Sequence, residues 1–175
     1  YGMRPVPEMQ FMGFIYPAVD QIVSHAARLR TRSNGRFSCP MVIRAPYGGG
    51  IRAPEHHSES TEAFFAHQPG LKVVIPSTPY DTKGLLAASI RDPDPVIFLE
   101  PKLIYRAFRE QVPEEPYTVP IGEAATRREG DDVAVFTYGA MNRPTLEAAE
   151  TLGEEGIACE LAALRPVSPP ARAPL

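Results

Sequence analysis

Residues 47–60 read Y-G-G-G-I-R-A-P-E-H-H-S-E-S and concentrate the side chains that can do chemistry. Three consecutive glycines, Gly48 to Gly50, remove every Cβ, so the backbone can take positive φ and approach a ligand closely. His56 and His57, set between Glu55 and Glu59, are groups that move protons near neutral pH. A metal cluster of Glu55, His56, His57, Glu59 and His67 is disfavoured, because the chain shows neither H-x-x-x-H nor C-x-x-C spacing. The glycines also lack the lysine and threonine of a P-loop and the spacing of a dinucleotide fingerprint. A tight turn is the expected role of these glycines.

Such a loop needs a strand to lead in and a helix to lead out. Met41 to Ala45 is the expected strand, and a short helix begins near Thr61 and runs to about His67. Ser58 or Ser60 is its expected cap, and Glu62 suits the helix dipole. Strand, polar loop, helix is how open α/β sheets build sites beyond strand carboxyl ends.

The rest of the chain supports that frame. Pro5 to Phe11 reads as an edge strand ending between Phe11 and Phe14. From Pro17, the residues Ala18, Val19, Ile22, Val23, Ala26, Ala27 and Leu29 repeat at helical spacing, with Asn34-Gly35 as the stop. Leu71 to Ile75 and Val96 to Leu99 are apolar runs of the kind buried on both faces of a sheet. Between them, Thr78 caps a helix with Pro79 in its first turn, running to about Arg91. Strands alternating with helices imply right-handed crossovers and a largely parallel sheet. Proline-rich, weakly periodic residues follow, and then one further β-α-β unit: Val133 to Tyr138, Asn142 to about Leu152, and Ile157 to Leu164. The division expected is 1–100 for the first domain, 101–130 for a connector and 131–175 for the start of a second.

Composition bounds the function classes. With 43% hydrophobic and 22% charged residues the chain is of the globular type, and a net charge of -3 offers nothing to nucleic acid or an anionic membrane surface. No apolar run approaches the ~20 residues of a membrane helix. Cys39 and Cys159 are read as free thiols of a reducing cytoplasm. Lys72, Lys83 and the arginines near 28–36 read as solvated faces. Both ends of the chain read as interior sequence, so a fragment is expected.

Six runs together resemble one family. They are P-V-P-E-M-Q-F-M-G-F at 5–14, A-V-D-Q-I-V at 18–23, V-I-R-A-P-Y-G-G-G at 42–50, H-S-E-S at 57–60, F-F-A-H-Q-P-G-L-K-V-V-I-P-S-T-P-Y-D at 64–81 and I-R-D-P-D-P-V-I-F-L-E-P at 90–101. The chain is similar through these runs, and on to about Leu164, to β subunits of the thiamine-diphosphate-dependent 2-oxo acid dehydrogenases. The resemblance implies an α/β fold: a transketolase-like pyrimidine-binding domain, truncated at its N-terminus, with a largely parallel sheet, then the start of a smaller C-terminal α/β domain.

The resemblance also implies residue roles. Phe14 falls where the family sets an aromatic ring against the cofactor's aminopyrimidine, with Gln10 beside it. His57 falls on the family's active-site histidine at the mouth of the cofactor channel, with His56 in reserve. Ser89, Asp92 and Asp94 correspond to a loop that in some members binds a structural monovalent cation through backbone oxygens. The glutamate that hydrogen-bonds the aminopyrimidine is expected upstream of Tyr1. Thiamine diphosphate and magnesium are expected to be held largely by an alpha subunit, and further partners are a second beta subunit and a dihydrolipoyl acyltransferase core. The chain alone is then expected to be inactive. Pyruvate is the expected substrate, with branched-chain 2-oxo acids as the alternative. The rivals are a single-chain relative such as transketolase or deoxyxylulose-phosphate synthase, and a non-catalytic assembly or structural subunit.

Overall fold

A computed structural model describes residues 2–170. Val42–Tyr47 (β1), Lys72–Val74 (β2) and Val96–Pro101 (β3) form a parallel sheet in which β3 is central, paired from Val42↔Val96 to Tyr47↔Pro101 on one side and from Lys72↔Val96 to Val74↔Phe98 on the other. Successive side chains on a strand point to opposite faces. Ile43, Ala45, Val73, Ile97 and Leu99 therefore pack one way with Met12, Ile15 and Phe65, while Val42, Val74, Val96 and Phe98 pack the other way with Leu85 and Val119. Both faces are covered, as the apolar runs require. Each fully buried side chain of this size contributes about 1.5–3 kcal/mol.

A second sheet holds Ala125–Arg128 (β4), Val133–Thr137 (β5) and Cys159–Ala163 (β6) in the order β4-β6-β5, with β5 parallel and β4 antiparallel to β6. Strand β4 lies inside the stretch expected as connector. The chain then returns to the first sheet, where Pro166–Ser168 (β7) pairs antiparallel with β2 and gives the order β1-β3-β2-β7. The α-helices are Leu29–Arg32 (α1), Glu62–Ala66 (α2), Pro79–Arg91 (α3) and Asn142–Glu154 (α4). None among the described residues is long and apolar enough to cross a membrane.

Helix α3 starts as its sequence requires: Thr78 Oγ1 accepts from the Asp81 amide at 3.1 Å and Pro79 occupies the first turn. Three expectations are corrected. Pro5 to Met9 does run beside β1, with Arg44 donating to the Pro7 carbonyl at 2.9 Å and Met9 donating to the Arg44 carbonyl at 2.8 Å. It makes only an isolated bridge, Glu8↔Arg44, and the chain turns into a 3₁₀ segment, Met12–Ala18, rather than continuing as strand through Phe14. The helix expected from Pro17 is broken into that segment, a π turn over Gln21–Ala26 and the single turn α1. Pro17 has no amide hydrogen to sustain an α ladder, and the apolar stripe is satisfied by turns of differing pitch. The stop is as read, with Asn34 and Gly35 at φ of 52° and 79°. Helix α2 is capped by neither serine: its N-cap is Thr61, which makes no side-chain cap bond, and Ser58 donates to the Ala53 carbonyl at 3.2 Å.

Candidate active site

Two turns meet to build the site. The first carries Phe11 and Phe14, whose spacing across one 3₁₀ turn sets the rings edge to face with centroids 6.3 Å apart. The second is a single 3₁₀ turn, Glu55–His57, that follows Pro54 and leads towards α2. His57 lies against Phe11 with ring centroids 4.0 Å apart, and 5.9 Å from Phe14. His56 lies 4.9 Å from Phe14. Backbone contact is close: a Cβ at Gly13 would collide with the His56 carbonyl oxygen and ring, so only glycine lets the turns touch. The Tyr16 hydroxyl donates to Glu59 Oε2 at 2.9 Å and ties the same two segments together.

Nδ1 of His57 is buried and has no hydrogen-bond partner among the described residues. Buried polar atoms are nearly always paired, so this nitrogen keeps an unused hydrogen-bonding position. Lys102 is the second such atom. The residue is 9% exposed, its Nζ is buried without a partner among the described residues, and Nζ stands 5.2 Å from the Phe11 ring centroid. Burial pushes the pKa of this ammonium down. Lys102 reaches the site because Tyr47 and Pro101 are register partners, so Gly48 and Lys102 leave the carboxyl ends of adjacent strands side by side. The glycine loop turns there as its sequence allows, with Gly48 and Gly50 at φ of 88° and 85°.

The structure brings His57, His56 and Phe14 together. Phe14 keeps 44% of its surface exposed, and Gln10 is exposed at the entry to the same turn. Ser89, Asp92 and Asp94 are gathered elsewhere, at the end of α3 before β3, hence at the opposite end of the sheet from Lys102. Ser89 Oγ donates to the Leu85 carbonyl at 2.7 Å. Lys72 Nζ donates to both Asp92 oxygens at 2.6 and 2.5 Å, and Arg30 Nε to Asp94 at 2.6 Å. Arg4 donates to the Ile90 and Asp92 carbonyls, each at 2.9 Å. Lys72 is therefore an ion-pair partner rather than a solvated face. Lys83 is also engaged, donating to the carbonyls of Pro113, Glu114 and Glu115.

Two contributors escaped the sequence reading. Phe11, expected only as the end of an edge strand, is the ring nearest His57; its three-residue spacing from Phe14 is the signal that would have grouped them. Lys102 carries no motif. Only its position just beyond the carboxyl end of a buried strand marks it.

Residues 1–107 match the family model described as transketolase, pyrimidine binding domain, and residues 122–174 match transketolase, C-terminal domain. The chain belongs to the transketolase-like pyrimidine-binding family. Within that class it is 56% identical over 169 residues to 2-oxoisovalerate dehydrogenase subunit beta of Bacillus subtilis, covering 97% of this chain and 52% of that protein. To the pyruvate dehydrogenase E1 component subunit beta of the same organism it is 54% identical over 168 residues, covering 96% and 52%. The chain spans about half the length of these curated relatives. Solved structures share the fold. A split-gene transketolase, described as an inactive beta4 tetramer, superposes with a TM-score of 0.71 at 21% identity, over 94% of this chain and 50% of that one. A transketolase mutant from Pichia stipitis gives 0.66 at 20% identity, over 92% and 23%.

Proposed function

We propose that the chain contributes to the β subunit of a thiamine-diphosphate-dependent 2-oxo acid dehydrogenase. It works there with an α subunit and a second β subunit and passes an acyl group to the lipoyl groups of a dihydrolipoyl acyltransferase core. One observation carries the reading: His57, with Nδ1 buried and unpartnered, held against Phe11 beside the exposed ring of Phe14.

The residues fit the cofactor. Phe14 offers an apolar face to the aminopyrimidine, Gln10 stands at the rim, and the diphosphate and magnesium belong to the α subunit. When bound, thiamine diphosphate supplies the stabilised carbanion that decarboxylation needs. The chain's own groups do the rest. Phe11 and Phe14 keep water from the reacting centre. His57, held tilted against Phe11 and edge-on to Phe14, orients the substrate's oxygen and the incoming lipoyl group and moves a proton between them. Pyruvate is the proposed substrate; the second reading, a branched-chain 2-oxo acid, is favoured by 56% identity to the 2-oxoisovalerate enzyme against 54% to the pyruvate enzyme. A cytoplasmic setting fits the two free cysteines, Cys39 and Cys159.

The test reconstitutes the full-length pair and compares kcat/KM for pyruvate and 2-oxoisovalerate, with calorimetry for thiamine diphosphate. Turnover on pyruvate is expected, falling by about 10²-fold or more with His57→Ala, in the range of a lost general acid–base group. A pair that binds no cofactor sinks the proposal and favours a structural subunit.

A further inference from the structure

A cleft of about 400 Å³ opens away from the histidine site, lined by Met9, Ile22, Ala26, Leu29, Met41 and Ile43, with His25 and Cys39 beside them. No side chain of the histidine site lines it. Its size is that of a small-molecule site, and so is its make-up, apolar with few polar groups. Ile22 and Ile43 belong to the core, but Met9 and Met41 are only half-buried and Leu29 is exposed. Apolar surface is therefore left in contact with water.

One rim of the cleft is cationic. His25, Leu29 and Arg32 follow the four- and three-residue spacing that sets side chains on one helical face. Arg32 Nη1 accordingly stands 3.4 Å from Nδ1 of His25, itself part of the lining. Arg28 lies one turn earlier, its carbonyl accepting from the Arg32 amide at 2.9 Å. Arg30, between them, is held by Asp94 at 2.6 Å, whereas Arg28 and Arg32 have no carboxylate partner among the described residues. Gln21, also in the lining, donates to its neighbour Asp20 at 3.2 Å.

We infer that this cleft binds a medium-chain alkanoate. Its tail covers Met9, Leu29 and Met41, and its carboxylate accepts from Arg32 at the rim beside His25. The lining selects against a sugar or nucleoside, whose hydroxyls would lose water without gaining partners. The rim selects for an anion over an alcohol or an alkylammonium, because a guanidinium forms its strong hydrogen bonds with carboxylates. None of this depends on the thiamine-diphosphate reading.

Titration calorimetry on the chain with octanoate, butanoate and octan-1-ol tests this. Octanoate is expected to bind saturably. Butanoate, which buries four fewer methylenes, and octan-1-ol, which lacks the charge-assisted hydrogen bond, are each expected to bind at least about ten-fold more weakly. Cys39 lines the cleft and Cys159 is buried, so Ellman's reagent reports on occupancy. Octanoate at about ten times its Kd is expected to slow the Cys39 reaction about ten-fold, as the free fraction falls. Arg32→Met is expected to weaken octanoate about ten-fold and leave octan-1-ol unchanged, a split that loss of the fold would not produce. Circular dichroism checks folding; if Arg32→Met does not fold, the three-ligand comparison on the unaltered chain decides the matter. Absence of saturable octanoate binding, octan-1-ol binding as tightly as octanoate, or unchanged octanoate binding in folded Arg32→Met overturns the inference. So does sedimentation showing a dimer that octanoate does not dissociate together with a Cys39 that octanoate does not protect, since a second copy then closes the cleft.

Discussion

Arg165 Nη1 lies 3.5 Å from Oδ1 of Asp81, whose side chain is 1% exposed, so the segment after β6 is tied to helix α3 through a buried carboxylate. Arg127 of β4 donates to the other oxygen of Asp81. Arg165 also donates to the Glu123 and Ala124 carbonyls at 2.9 and 3.0 Å. One carboxylate thus joins the two sheets, and it is presented by the capped first turn of α3.

Removing that carboxylate takes from two guanidinium groups the buried acceptor they share. Asp81→Ala is expected to lower stability by about 3–5 kcal/mol, the range for breaking a buried ion pair from one side. Urea denaturation of wild type and variant measures it. A loss below 1 kcal/mol would show that water replaces the carboxylate and that the clasp is weak.

The meeting of the two site turns depends on Gly13. Gly13→Ala is expected to push the His56 carbonyl away, to cost about 1–3 kcal/mol as overpacking does, and to displace His57 from Phe11. The checks are a denaturation midpoint and the His57 ring shifts by NMR. Unmoved ring shifts would mean that the turns are not in the contact described.

Alkaline pH should weaken the fold. Burial raises the pKa of Tyr47, so the folded state keeps its proton above the unfolded value near 10. The stabilisation is complete below about pH 10 and is lost as pH rises towards the folded value, at up to about 1.4 kcal/mol per pH unit for one such group. Tyr105 is raised too, first by burial and then by its hydrogen bond to Glu100. Tyr47→Phe is expected to flatten the midpoint profile between pH 10 and 11 while leaving pH 8 little changed. Parallel profiles would exclude Tyr47 as a source of the loss.

The loop holding Ser89, Asp92 and Asp94 is proposed to take a monovalent cation on its backbone oxygens, in competition with Arg4, which already donates to the Ile90 and Asp92 carbonyls. Potassium chloride is then expected to raise the thermal midpoint above that in tetramethylammonium chloride of equal ionic strength, and more so in Arg4→Ala. Coincident melting curves in both salts count against a cation there.

The elements themselves were legible wherever a local rule acted alone. Apolar runs of strand length marked β1, β2 and β3, and Thr78 with Pro79 announced α3 because a hydroxyl cap and a proline satisfy the first turn without outside help. The family runs singled out His57 and Phe14, whose ring centroids the fold sets 5.9 Å apart. The helix expected from Pro17 is broken into 3₁₀, π and α turns, since a helical stripe says which side chains are buried but not the pitch that buries them.

The amino-acid sequence alone determined the α/β class, the strand–glycine loop–histidine order and the residue types available for chemistry, because these rest on periodicity and spacing along the chain. Tertiary structure alone decided which groups meet. Parallel register set Gly48 beside Lys102, one glycine let His56 and His57 approach Phe11 and Phe14, and burial left His57 Nδ1 and Lys102 Nζ without partners among the described residues. Contacts between residues so distant in sequence depend on how strands pair and what they exclude from water, and neither is written in local pattern.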